Sequence, residues 1–129
     1  FNSVFIGDGC GFDDGPFKAI LIDNAAISDS AEVFELNRTS RLILENRGDT
    51  VSPILRLIDN GTTQWTLDTD VRNTKGHETS HIWKISKVTV VEKEDPIKLV
   101  FLGHWTYGTE HGSMEINRKT GENSFCLSW

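Results

Sequence analysis

One run of residues carries chemistry in its spacing: His77-Glu78-Thr79-Ser80-His81. On a helix, positions i and i+4 share a face, so two imidazoles could hold a zinc ion while the carboxylate between them activates a bound water. A third ligand would come from His104, Glu110 or His111. On a strand, His77 and His81 would instead stand roughly 13 Å apart, too far to share a metal. Lys75-Gly76 precede the run without an apolar helical face, and from Trp83 onward the pattern alternates as a strand does. The segment therefore reads as a polar turn entering a strand, and neither a metal nor a cofactor is expected.

These five residues resemble the zincin metalloprotease signature. The resemblance implies His77 and His81 as the first two zinc ligands and Glu78 as the general base. It extends over five residues only, and the helical scaffold of that family is not legible around them. A metal-dependent hydrolase is kept as an alternative on this motif alone.

Other reactive residue types lack the company that chemistry needs. Gly7-Asp8-Gly9-Cys10-Gly11 has no third glycine at phosphate-loop spacing, no following helix and no lysine. Asp8, Asp13 and Asp14 are not at EF-hand spacing. Cys10 has no basic activator nearby, and there is no Gly-x-Ser-x-Gly elbow. Cys10 and Cys126 are read as non-catalytic, either inert thiols or a disulfide; two cysteines do not define a redox compartment. Two glycosylation triplets occur, Asn37-Arg38-Thr39 and Asn60-Gly61-Thr62. About one such match is expected by chance in a chain with eight asparagines, so as sequence they do not argue for secretion.

Charge is the more telling property. The net charge of −6 argues against binding nucleic-acid phosphates. Residues 1–36 hold seven acids and one base, whereas residues 37–129 hold twelve of each, so the whole excess lies in the first third. Such a field can steer a basic partner toward its target surface. The expected partner-binding residues are Asp8, Asp13, Asp14 and Asp23 from this region, joined by Asp68, Asp70, Glu92, Glu94 and Asp95 from polar loops. The expected function is that of a non-catalytic acidic binding protein that neutralises a basic protein, possible targets including a toxin or nuclease. In small size, acidity and β content the chain is similar to bacterial immunity proteins, a likeness of class that no residue motif carries. The third reading is a small-ligand-binding β-barrel, in which Trp65, Trp83, Trp105 and Trp129 would line a cavity; their alternation with aliphatic neighbours favours a core role instead.

The elements that would position these residues are mostly strands. Candidates are Phe17–Ile22, Arg41–Glu45, Pro53–Ile58, Thr63–Leu67, His81–Val91, Ile97–Tyr107, Ser113–Asn117 and Ser124–Trp129. Phe1–Pro16 is glycine-punctuated and reads as a loop, with a short strand at Val4–Ile6. Asn60-Gly61 predicts a type I′ hairpin turn. On His81–Val91 one face is expected to carry Trp83, Ile85, Lys87, Thr89 and Val91. Ile97–Tyr107 is apolar on both faces at its centre and is expected inside a sheet. Phe125, Leu127 and Trp129 are expected to point inward, with Cys126 on the opposite face. Ser28–Leu36 is ambiguous, since Ser30 could cap a short helix whose first turn holds Glu32.

The fold class is therefore mainly β: a single antiparallel sandwich or small barrel of about eight or nine strands, with at most one or two short helices, over residues 1–129. No apolar run approaches the roughly 18 residues that span a bilayer, so a soluble chain with no membrane partner is expected. Cytoplasmic localisation is the expectation, with a secreted or periplasmic home left open because residue 1 is Phe and not Met.

Overall fold

The computed structural model describes residues 14–23, 31–48, 51–70, 82–105 and 108–128. They form ten strands: β1 (Asp14–Phe17), β2 (Ile20–Ile22), β3 (Glu32–Glu35), β4 (Ser40–Glu45), β5 (Ile54–Asp59), β6 (Thr62–Asp68), β7 (Ile82–Glu92), β8 (Ile97–Trp105), β9 (Gly108–Ile116) and β10 (Asn123–Ser128). No helix occurs among the described residues, and none is long and apolar enough to cross a membrane. Two five-stranded antiparallel sheets result, ordered β1-β10-β9-β8-β7 and β2-β6-β5-β4-β3. Each is a four-strand meander completed at one edge by a short strand from the start of the described chain. The chain leaves one sheet after β1 and enters the other at β2, with Lys18 and Ala19 making the crossing.

One contiguous apolar cluster lies between the sheets. Leu42, Leu44, Leu55, Leu57, Trp65 and Leu67 come from one sheet, and Ile82, Ile85, Ile97, Leu99, Phe101, Met114, Ile116 and Phe125 from the other. Burial of these side chains is the main favourable term holding a sandwich together. The mainly β expectation holds, with one or two more strands than were counted and the layout of a sandwich.

Local chemistry explains several elements. Asn60 (φ 54°) and Gly61 (φ 79°) both lie in the left-handed region that a type I′ turn requires, and the turn joins β5 to β6 in register Asp59↔Thr62. β8 is paired on both sides, by β7 and β9. It sends Leu99 and Phe101 into the core, while Val100, Leu102 and His104 are half-buried on the opposite face. Phe125 is in the core and Cys126 faces away from it. Gly112 is required where it stands: a Cβ there would lie 2.6 Å from Phe101 Cε1 and 3.1 Å from the Cys126 carbonyl oxygen.

Three expectations are corrected. The helix considered within Ser28–Leu36 is strand β3 over Glu32–Glu35, paired Glu32↔Leu44 to Glu35↔Arg41 with β4. Pairing to the free edge of β4 outweighs the weak local cap signal, and Val33 and Phe34 suit a strand. The stretch up to Pro16, read as loop, contains β1, which adds to the open edge of β10. The single alternating face on β7 is broken: Ile82 and Ile85 are in the core, and so, partly buried, are Val88 and Val90. Register shifts between Ile82 and Lys84 and between Ser86 and Thr89 reverse the parity, and Lys87 (φ 52°) lies inside the second. Trp83 is consequently half-buried on the outer face rather than in the core, and Val91 is exposed. The Val4–Ile6 strand and the inward Trp129 lie outside the described residues.

Candidate functional site

A groove of about 630 Å³ lies at the sheet-crossing corner. Its floor and walls come from Lys18 and Ala19, the β7–β8 turn at Asp95-Pro96, Glu115 on β9, and the β9–β10 turn with Glu122 and Asn123. Three carboxylates, Asp95, Glu115 and Glu122, face one cation, Lys18.

Each wall is held for a local reason. Asn123 pairs with the backbone of Ala19 at the corner: its Oδ1 accepts from Ala19 N–H at 2.8 Å and its Nδ2 donates to Ala19 O at 3.2 Å. Asp95 Oδ1 accepts from Arg118 N–H at 3.0 Å, and Arg118 Nη1 donates to Lys93 O at 2.6 Å, so the two turns are tied together. Trp65 Nε1 donates to Arg118 O at 2.8 Å, anchoring this pair of turns to the other sheet. Glu115 projects from the face of β9 opposite Met114 and Ile116 and meets Lys98 Nζ at 3.6 Å. Glu122 is exposed. Gly121 (φ 82°) closes the corner, where a Cβ would meet Leu21 and Trp65 at 2.9 Å. The groove can therefore present fixed negative charge to a cationic group, with Lys98 partly neutralising Glu115.

A second cluster lies on the outer face of the β7–β8–β9 sheet. Ser86 Oγ and His104 Nε2 are 2.9 Å apart, and Thr109 Oγ1 is 3.4 Å from Nδ1 of the same ring. Trp83 leans on the imidazole, with ring centroids 5.5 Å apart at 50°. Desolvation, with the Lys84 charge as a smaller cause, holds the His104 pKa below its ordinary value. The neutral ring can accept from one hydroxyl and donate to the other. A nucleophilic serine would want a carboxylate orienting the ring from its far side; here that place belongs to the Thr109 hydroxyl.

The residues expected to bind a partner are dispersed. Asp8 and Asp13 lie outside the described residues, and Asp14 opens β1. Asp23 is exposed just beyond β2. Asp68 is 3.4 Å from Arg47 Nη2 and its Oδ1 accepts from Asp70 N–H at 3.1 Å, so it is engaged within the fold, as Asp70 is in part. Glu92 Oε1 accepts from the N–H groups of Lys93 and Glu94 and so shapes the β7–β8 turn, while Glu94 is exposed. Of those whose side chains are described, only Asp95 lines the groove. The first-third acids that are described do not form one patch, because β2 and β3, which neighbour Asp23 and carry Glu32 and Glu35, are opposite edges of their sheet.

Glu115 and Glu122 were not legible as site residues. The available signal was a single charge between Met114 and Ile116, a position that must point away from the core.

The His77–His81 run lies outside the described residues. Of its proposed third ligands, His104 and His111 are on one face of the β8–β9 pair and Glu110 on the other, buried. Among the described residues no group of three or more potential ligands could hold a metal ion. Cys126 is disulfide-bonded; Cys10, the chain's other cysteine, lies outside the described residues. Compared with known protein families, curated proteins and solved structures, the chain shows no significant match to any.

Proposed function

We propose that this protein is a non-catalytic binding protein, an inhibitor in kind, that engages a basic protein through the groove walled by Asp95, Glu115 and Glu122. The observation that carries the reading is the convergence of three carboxylates from two turns and a strand on one concavity with a single lysine. Asp95 and Glu115 are held by Arg118 N–H and Lys98, so they lose little freedom on binding, and a concave site strengthens the field of all three carboxylates. The disulfide at Cys126 favours an oxidising compartment over the cytoplasm, since thiols are kept reduced in the latter. An extracellular or periplasmic inhibitor fits that better than a cytosolic immunity protein.

The test is capture of basic proteins from the source organism by the wild-type chain and by the Asp95→Asn/Glu115→Gln/Glu122→Gln variant. The wild type should retain a specific basic protein, and the variant should lose it. Retention should weaken as salt rises, because the Debye length falls from about 10 Å at 0.1 M to about 3 Å at 1 M. An unchanged set of retained proteins on the variant would sink the groove as the binding site.

A further inference from the structure

The two Asn-x-Thr triplets are far apart in sequence and adjacent in the fold. Asn37-Arg38-Thr39 makes the β3–β4 turn, and Asn60-Gly61-Thr62 spans the β5–β6 turn. The turns are bonded to each other: Asn60 N–H donates to Thr39 O at 2.9 Å, and Thr39 Oγ1 donates to Asp59 Oδ1 at 3.4 Å. All six residues of the triplets are exposed.

The acceptor amides are also free in the sense that matters. The Asn37 side chain accepts at Oδ1 from Thr39 N–H (2.9 Å) and Ser40 N–H (2.9 Å), with the Thr39 hydroxyl proton shared between that oxygen (3.2 Å) and Asp59 Oδ1, which leaves Nδ2 outside that network. Asn60 contributes its backbone conformation to the turn, and no described hydrogen bond uses its side chain. A bulky polar substituent on either Nδ2 would extend into solvent without displacing a fold contact. The disulfide at Cys126 points to the compartment in which such substituents are added.

From this geometry we infer that Asn37 and Asn60 are N-glycan acceptors and that the tip formed by the two turns is a glycosylated cap. The donor is an oligosaccharide linked to a polyprenyl diphosphate, transferred by a membrane oligosaccharyltransferase. Nδ2 attacks the anomeric carbon and a new N–C bond forms. The carbon–oxygen bond to the diphosphate breaks, the lipid diphosphate leaves, and Nδ2 gives up one proton; nothing is oxidised or reduced. The inference does not depend on the acidic groove.

The test is peptide mapping by mass spectrometry of the protein purified from its source organism, before and after peptide-N-glycosidase F, which converts a glycosylated Asn to Asp. Peptides containing Asn37 and Asn60 should appear as Asp only after enzyme treatment. Thr39→Ala and Thr62→Ala, passed through the same secretory route, should each remove one glycan step on a gel, and Thr39→Ser should keep it. The map needs no variant, so a misfolded mutant does not decide the matter. Unmodified Asn37 and Asn60 in the native protein overturn the inference, and an unmodified residue at one position overturns it for that position.

Discussion

The side-chain amide of Asn46 completes the backbone pairing of Ile85 across the two sheets: Ile85 N–H donates to Asn46 Oδ1 at 2.8 Å, and Asn46 Nδ2 donates to Ile85 O at 3.0 Å. β7 is the edge of its sheet, so these backbone groups have no neighbouring strand to meet. Asn123 does the same for Ala19 at the sheet-crossing corner. Asn46 thus acts as a one-residue strand on an edge otherwise open to pairing with another chain, and Asn123 satisfies the backbone where it leaves one sheet for the other. Asn46→Ala should lower stability by about 1–3 kcal/mol, because a partly buried donor and acceptor both lose their partner. Urea unfolding checks this, and Asn46→Asp, which keeps only the acceptor, should fall between the two.

Gly112 and Phe101 divide one space. A Cβ on Gly112 would overlap the Phe101 ring and crowd the Cys126 carbonyl. Gly112→Ala should therefore destabilise by about 1–3 kcal/mol through overpacking. Phe101→Leu in the same chain should cost less than the sum of the two single changes, since the smaller side chain vacates the clash. A fully additive double mutant would show that the two positions do not share that space.

Lys87 is a non-glycine residue at positive φ within a bulge of β7 and is exposed. A left-handed conformation costs an ordinary residue roughly 1–2 kcal/mol, and glycine avoids it at an entropic cost of roughly 0.5–1 kcal/mol. Lys87→Gly should leave stability unchanged or raise it by up to about 1 kcal/mol, whereas a glycine elsewhere in β7, such as at Thr89, should lower it. Denaturant midpoints of the two variants give the comparison.

His104 titrates below its ordinary value because the folded protein desolvates it and sets Lys84 beside it. The unfolded chain therefore binds a proton more readily than the folded one, so stability falls as pH drops through the ordinary histidine range toward the lowered folded value. Above the unfolded value the contribution is fully present. His104→Gln should flatten that part of the stability–pH curve, as read from thermal unfolding between about pH 4 and 8, a window that includes the usual histidine pKa of about 6.5 and extends below it. A curve of unchanged slope would mean that the ring is equally protonated in both states.

The alternation of Leu99 and Phe101 against Val100 and Leu102, and the Asn60-Gly61 turn, were readable from the sequence because each depends only on backbone geometry over a few residues. The same local logic predicted Phe125 inward and Cys126 outward. It failed at Glu32–Glu35, where a possible cap at Ser30 is a local signal and the free edge of β4 is not. It failed again along β7, where bulges invisible to a two-residue period exchanged the faces and moved Trp83 out of the core. The groove depends on tertiary structure entirely. Asp95, Glu115 and Glu122 sit in three different segments, and only the registers Ile97↔Ile116 and Asn123↔Ile116 bring those segments side by side. Composition could count the acids and locate their excess in the first third, but a sum over sequence contains no directions. Strand pairing set opposite edges of one sheet between Asp23 and the pair Glu32 and Glu35, and it gathered into one concavity three acids that looked scattered. Side-chain periodicity is a property of the chain, whereas convergence belongs to the packed sheets.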